Sequence, residues 1–284
     1  MPGFPIIDCH LHLYDPRALP YGWMKDDPIL DWLHGPAEFE AASNGVAVEA
    51  MVFVEVDVDA GFHMAEARWV AEAAKTDRRV KAIVASVPLE KGRAVEADVK
   101  ALAAMPQVRA VRRLIQAHVD EPGWCLKPDF VDGVRMLADY RLSFEIGIYH
   151  PQILDAVELV KRCPGVTFML VHIGKPGIKN GVREPWWSGI GELARLPNVV
   201  CKVSGVLTEA DHRRWAYDQV APYIARAIEC FGYDRVAFGG DWPVLERAAP
   251  YRDWVGVVDR VTAGASAADL KKLYRDNAIR HYRL

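Results

Sequence analysis

A chain of 284 residues that is 51% hydrophobic and 26% charged has enough apolar material for one large domain or two small ones. Its net charge of -3 does not advertise a nucleic-acid or membrane partner. No apolar stretch approaches a bilayer span, and MPGFPIIDCH lacks a basic segment followed by a signal-type apolar core. Five scattered cysteines (Cys9, Cys125, Cys163, Cys201, Cys230) with no C-x-x-C suit a reducing cytoplasm and point to neither a disulfide framework nor a zinc ribbon.

The first element is an apolar run over 5–11, PIIDCHL, that reads as a short buried strand running into polar residues. Strand alternation places Asp8, His10 and His12 on one face and Ile7, Cys9 and Leu11 on the other. Two imidazoles on one face can converge on a metal ion at ~2.1 Å or on a carbonyl group. Two histidines bonded to core backbone would give the same pattern. Residues 12–45 form a long insertion of the kind that covers an active site. Further strand-like runs follow at 49–56, 80–87, 109–115, 143–149, 167–172, 198–203 and 234–239. Helical patterns lie between them. In DAGFHMAEARWVAEAAK, Phe62, Ala65, Trp69 and Ala73 recur at helical spacing, and PDFVDGVRMLADY and HPQILDAVELVKRC read the same way. Eight such units in a single domain predict a (β/α)₈ TIM barrel. A doubly wound open sheet is the competing architecture, and it lacks its G-x-G-x-x-G after the first strand.

Chemistry in a barrel sits where the strands end. In order, those ends carry His10 and His12, Glu55 and Asp57, Arg112, Arg113 and Gln116, Tyr149 and His150, His172 and Lys175, Lys202 and Ser204, and Asp241 and Trp242. Each alone has a structural explanation, whether a solvated charge, a loop cap or a paired lysine; the set favours a site. Ring closure makes the first and eighth strands neighbours, so His10, His12 and Asp241 meet. An aspartate there can take a proton from water while imidazoles and nearby cations hold a carbonyl.

The D-x-H-x-H opening, HIGKP at 172–176, LPNVVCKVSGV at 196–206 and FGGDWP at 238–243, with YGWMKDD and VRAVRRLIQ, resemble the amidohydrolase superfamily. More narrowly, they are similar to its sugar-lactonase-type branch of L-fuconolactonases, L-rhamnonolactonases and pyrone-dicarboxylate lactonases. The resemblance covers nearly the whole chain. It implies a hydrolase that opens a lactone, with Asp241 as the base that activates water. It implies that His10, His12 and His172 either ligate a divalent metal, with Asp241 as a further ligand, or bind the carbonyl oxygen directly. Members differ here: some work without metal, and related branches need zinc or manganese. Arg112, Arg113, Lys175 and Lys202 are the cations expected to grip substrate or oxyanion, with His150, Trp23 and Trp242 as further contacts. A modest arginine cluster and nine tryptophans point to a neutral polyhydroxylated sugar lactone rather than a dicarboxylate. A metal-dependent decarboxylase of the same superfamily and a non-catalytic ligand-binding barrel are the alternatives. The three histidines and Asp241 argue against the second of these.

Overall fold

The computed structural model describes residues 2–284. Eight strands, β1 (Ile6–Leu11), β2 (Val48–Val54), β3 (Val80–Ser86), β4 (Val108–Leu114), β5 (Ser143–Gly147), β6 (Phe168–Leu170), β7 (Val199–Val203) and β8 (Val236–Phe238), form one sheet. The strands run parallel in sequential order. A helix follows each strand in turn: α1 (Pro36–Ala42), α2 (His63–Thr76), α3 (Glu96–Ala103), α4 (Pro128–Met136), α5 (Ile153–Arg162), α6 (Trp186–Ala194), α7 (Tyr217–Phe231) and α8 (Tyr251–Val261). Two short helices, α9 (Ala267–Lys271) and α10 (Asn277–Tyr282), end the chain. Beyond the last strand, Asp241 N–H donates to His10 C=O at 2.7 Å and His12 N–H to Trp242 C=O at 2.8 Å. These bonds bring the eighth unit back to the first, and the architecture is a single-domain (β/α)₈ barrel. No helix among the described residues is long and apolar enough to cross a membrane.

Two apolar layers follow from strand alternation. Ile7, Cys9, Val52, Val84, Ala110, Met169 and Ala237 pack together inside the barrel, joined from α10 by Ala278 and Tyr282. The opposite faces of the strands pack against the helices, as Phe53 and Val70 do. Lys127 precedes α4, whose first residue is Pro128, a position where a fixed φ and a missing N–H cost nothing.

β1 and β7 end where their apolar runs do, and the other six strands end one or two residues earlier. β6 stops at Leu170 because His172 and Ile173 take left-handed φ values of 53° and 49°. That turn carries the His172 ring out of the strand direction. Asp8, which alternation places with the two imidazoles, turns away from them. The β1–β2 register shifts between Asp8 and Leu11, and such a bulge re-aims side chains. The Asp8 carboxylate instead accepts from Tyr251 Oη of α8 at 2.8 Å, from Gly240 N–H at 2.8 Å and from His10 N–H at 2.9 Å. Burial pushes its carboxyl up to about 6, against the pull of these donors.

Asp8 is therefore a structural clamp, and Tyr251→Phe tests it. Loss of the hydroxyl donor to a buried carboxylate should cost about 1–3 kcal/mol of unfolding free energy by chemical denaturation. Because the native carboxyl titrates above its unfolded value, the stability it contributes falls as pH rises through 6. The Tyr251→Phe penalty should accordingly be larger at pH 8, where Asp8 is ionised, than at pH 5.

Candidate active site

The strand ends open into a cavity of about 350 Å³. His12, Asp57, Arg112, Gln116, His172, Lys175 and Asp241 line it from the barrel. Tyr149, Thr208, Val244 and Arg247 line it from loops, and Trp23 and Leu30 from the long segment after β1. Trp23 is half exposed and anchors itself by donating from Nε1 to Val56 C=O at 2.8 Å.

At the base of this cavity three imidazoles converge on one carboxylate oxygen. The Nε2 atoms of His10, His12 and His172 stand 3.5, 3.4 and 3.5 Å from Asp241 Oδ1. All four side chains are buried. Their placement depends on tight backbone. Asp241 sits at φ 59°, directly after Gly240, where a Cβ would stand 2.3 Å from the Tyr251 ring and 2.4 Å from Asp8 Oδ2. At Gly205, φ is 59° and a Cβ would lie 2.3 Å from His172 Nδ1, so only glycine lets that ring lie where it does.

Donor bookkeeping separates the rings. His12 Nδ1 lies 2.8 Å from Val54 C=O; a carbonyl only accepts, so a proton sits on Nδ1 and the neutral form of the ring has its lone pair on Nε2. His172 Nδ1 meets Ser204 Oγ at 2.8 Å, a partner that donates or accepts. His10 Nδ1 lies 3.3 Å from Lys202 Nζ, which also donates to both Glu145 oxygens at 2.8 and 2.7 Å. An ammonium only donates, so His10 carries its proton on Nε2, towards Asp241. Burial and the Lys202 charge push the His10 imidazole well below its ordinary value, and burial lowers His172 to about 3. Both rings are neutral at pH 7. Burial would raise the Asp241 carboxyl, yet the His172 and His12 rings and the Lys175 ammonium outweigh it and hold it below its ordinary value.

Neutral imidazoles and a carboxylate form the donor set of a divalent ion. The 3.4–3.5 Å separations exceed those of a good N–H···O bond, roughly 2.7–3.2 Å. They match the edge of a tetrahedron with metal–ligand distances of ~2.1 Å, about 3.4 Å. Ligand atoms of His10, His12 and Asp241 all lie within 4.8 Å of one another, and His10 Nε2 has no hydrogen-bond partner. The site fits a divalent metal. His10, His12 and Asp241 would hold it, His10 only after the proton on its Nε2 and its contact with Lys202 change, and His172 Nε2 stands equally close to Asp241.

Four residues expected in the pocket lie elsewhere. Arg113 points away from the pocket and pairs with Glu90 at 2.7 Å, because strand alternation lets only one of two adjacent arginines, Arg112, face inward. Lys202 is fully buried beneath His10, locked to Glu145. Trp242 is buried against His34 and Phe39 and donates to Glu246. His150 lines a neighbouring outer cleft with Lys179 and Arg213. Arg112 does face the cavity but is bound to Glu55 through its Nε and to the Glu55 carbonyl. Lys175 Nζ is 3.9 Å from Glu209 and 5.0 Å from the Tyr149 ring centre. Burial raises Glu209 to about 7, with Lys175 pulling the other way. Thr208, Glu209 and Arg247 were not legible beforehand: they sit in loops after β7 and β8 without a motif.

The Amidohydrolase family model matches residues 7–284. An L-fucono-1,5-lactonase of Burkholderia multivorans is 28% identical over 98% of this chain and 96% of its own length. An L-rhamnono-gamma-lactonase of Scheffersomyces stipitis is 25% identical, with all of both chains covered. The crystal structure of an amidohydrolase from Burkholderia multivorans with bound zinc has a TM-score of 0.85 and 28% identity, covering 99% of this chain and 100% of that one. Because the family match runs from β1 to the last residue, and so spans every strand that builds the site, the chain belongs to the amidohydrolase family.

Proposed function

We propose that the chain hydrolyses a lactone, opening the ring ester of a neutral, polyhydroxylated sugar acid. The observation that carries this reading is the ionised Asp241 carboxylate, buried at the foot of a ring-sized cavity and flanked by neutral imidazoles. The lactonase relatives support the same class of substrate.

The geometry performs the reaction as follows. A water between Asp241 and the lactone carbonyl gives one proton to Asp241 Oδ1 and directs its second towards the bare His12 Nε2. Its oxygen attacks the carbonyl carbon, and the displaced electron pair becomes an oxyanion facing the Lys175 ammonium. On collapse the ring C–O bond breaks, and the leaving alkoxide takes the proton held by Asp241. The product acid then loses a proton to solvent, so turnover is read as acid release. A divalent ion at this site would polarise the carbonyl and acidify the water. We infer that hydrolysis does not strictly require one, since a lactone is an activated ester and the Lys202–His10 contact keeps one imidazole out of a metal shell.

The charges support a neutral substrate. The cavity's cations are each faced by a carboxylate: Arg112 by Glu55, Lys175 by Glu209 and Arg247 by Asp27. Asp57 and Asp241 add two more carboxylates. A dicarboxylate pyrone, or the anionic substrate of a decarboxylase, would meet a surplus of like charge.

Asp241→Asn should lower turnover on the best of a panel of aldonolactones by about 10²-fold or more with folding retained, because the amide cannot accept the proton. Near-normal turnover would remove Asp241 from the mechanism. In the unmodified protein, Asp241 is protonated only below its depressed value, so activity is lost as pH falls and the acid limb of kcat/KM should lie below about pH 4. A limb near pH 6 would assign the base elsewhere. Exhaustive chelation, verified by metal analysis, should leave most of the turnover. Loss that zinc or manganese restores would show the metal to be essential.

A further inference from the structure

Asp57 takes part in none of these steps, yet it lines the cavity with no Lys or Arg within 4 Å of its carboxylate and no hydrogen-bond donor to its side chain among the described residues. Its neighbours explain why. The two arginines whose charges act on it are taken: Arg112 by Glu55 and Arg113 by Glu90. Asp57 is also held in a conformation that L-residues seldom adopt. Its φ is 52°, and its own N–H donates to Glu55 Oε2 at 2.7 Å, which fixes the turn. Left-handed backbone outside glycine carries a strain that is characteristic of functional sites. Here the turn points a carboxylate at the cavity instead of letting the strand run on. Partial burial, and then the Glu55 charge, raise its carboxyl; a ligand that donates hydrogen bonds to it would relieve that cost.

We propose that Asp57 is the specificity residue of this site, accepting hydrogen bonds from a pair of neighbouring hydroxyls on the substrate ring with its two oxygens. A carboxylate with two free oxygens matches a vicinal diol, which offers two donors at about the same spacing, and repels a substrate carboxylate placed there. The inference rests on the lactonase reading for its choice of ligand. Asp57 itself does not touch the reacting carbonyl; it positions the ring.

The test is Asp57→Asn, which keeps size and tolerates left-handed backbone but replaces one acceptor oxygen with a donor. KM for the best aldonolactone should rise about 10- to 100-fold, the range of a hydrogen bond to a charged group, while kcat stays within about threefold. Calorimetry with neutral aldopyranoses, which carry the hydroxyls but no ester, separates this inference from the lactonase reading. The unmodified protein should bind the parent sugar at least about tenfold more tightly than its analogue lacking one of the paired hydroxyls, and Asp57→Asn should bind the two within about twofold of each other. That loss of discrimination supports the inference even if no lactone is hydrolysed, in which case the lactonase reading alone falls. The inference is overturned if Asp57→Asn leaves KM and discrimination unchanged, or if the unmodified protein binds no neutral sugar.

Discussion

The site depends on how the barrel closes. Three backbone and side-chain donors from β1, from the turn after β8 and from α8 meet on the single buried carboxylate of Asp8. That convergence fixes Gly240, and Gly240 fixes Asp241 at a left-handed φ. Asp241 N–H then bonds to His10 C=O, which sets the proposed base against the first imidazole. A residue with no part in the chemistry thus determines the distance between the groups that have one. Gly240 is as constrained as Asp8, since no side chain fits between the Tyr251 ring and that carboxylate.

A second buried charge sits lower in the barrel. The interior is apolar around Ile7, Cys9 and Val84, then gives way to the Lys202–Glu145 pair, fully buried and capped by the Tyr282 hydroxyl. A buried ion pair is poor evidence for stability, because desolvation offsets most of the attraction. Its consequence here is chemical: Lys202 occupies His10 Nδ1 and settles the proton of that ring on Nε2. The imidazoles are therefore not equivalent. His12 offers a lone pair and His10 a proton, and a metal shell built from both would need the lysine contact to change.

Much of this was legible in the sequence because the barrel repeats one pattern. Apolar runs ending in ionisable residues mark strand ends, and sequential order makes β1 and β8 neighbours, so His10, His12 and Asp241 could be placed together from the sequence, whereas His172 joined them only through the resemblance to the amidohydrolase superfamily. What escaped was phase and depth. Alternation says that Arg112 and Arg113 face opposite ways but not which faces inward. It fails for Asp8 because a bulge in β1 breaks the period. Lys202 lies on the inward face of its strand, but nothing in VVCKV reveals that it stops below the cavity floor. Glu209 and Arg247 end single short 3-10 turns after β7 and β8, too short for any periodicity to place a side chain.

The electrostatics of the site bear on which bond it can break. A carboxylate held below its ordinary value, as Asp241 is, remains ionised across the useful pH range but is a weak proton acceptor, and Brønsted behaviour makes a weak base a modest catalyst. The cations that could compensate by stabilising an oxyanion are mostly committed: Arg112 to Glu55 and Arg247 to Asp27, leaving Lys175 with its partner at 3.9 Å. Under the proposed function, one ammonium and a weak base act on a carbonyl that is already electrophilic and whose leaving group is an alkoxide. They do not suffice for an amide, whose resonance must be broken and whose leaving nitrogen must be protonated, unless a metal supplies the missing polarisation. The same low basicity that keeps Asp241 ionised thus restricts the unaided site to esters. Under the same proposal, the cavity of about 350 Å³ and its carboxylates suit a compact uncharged ring.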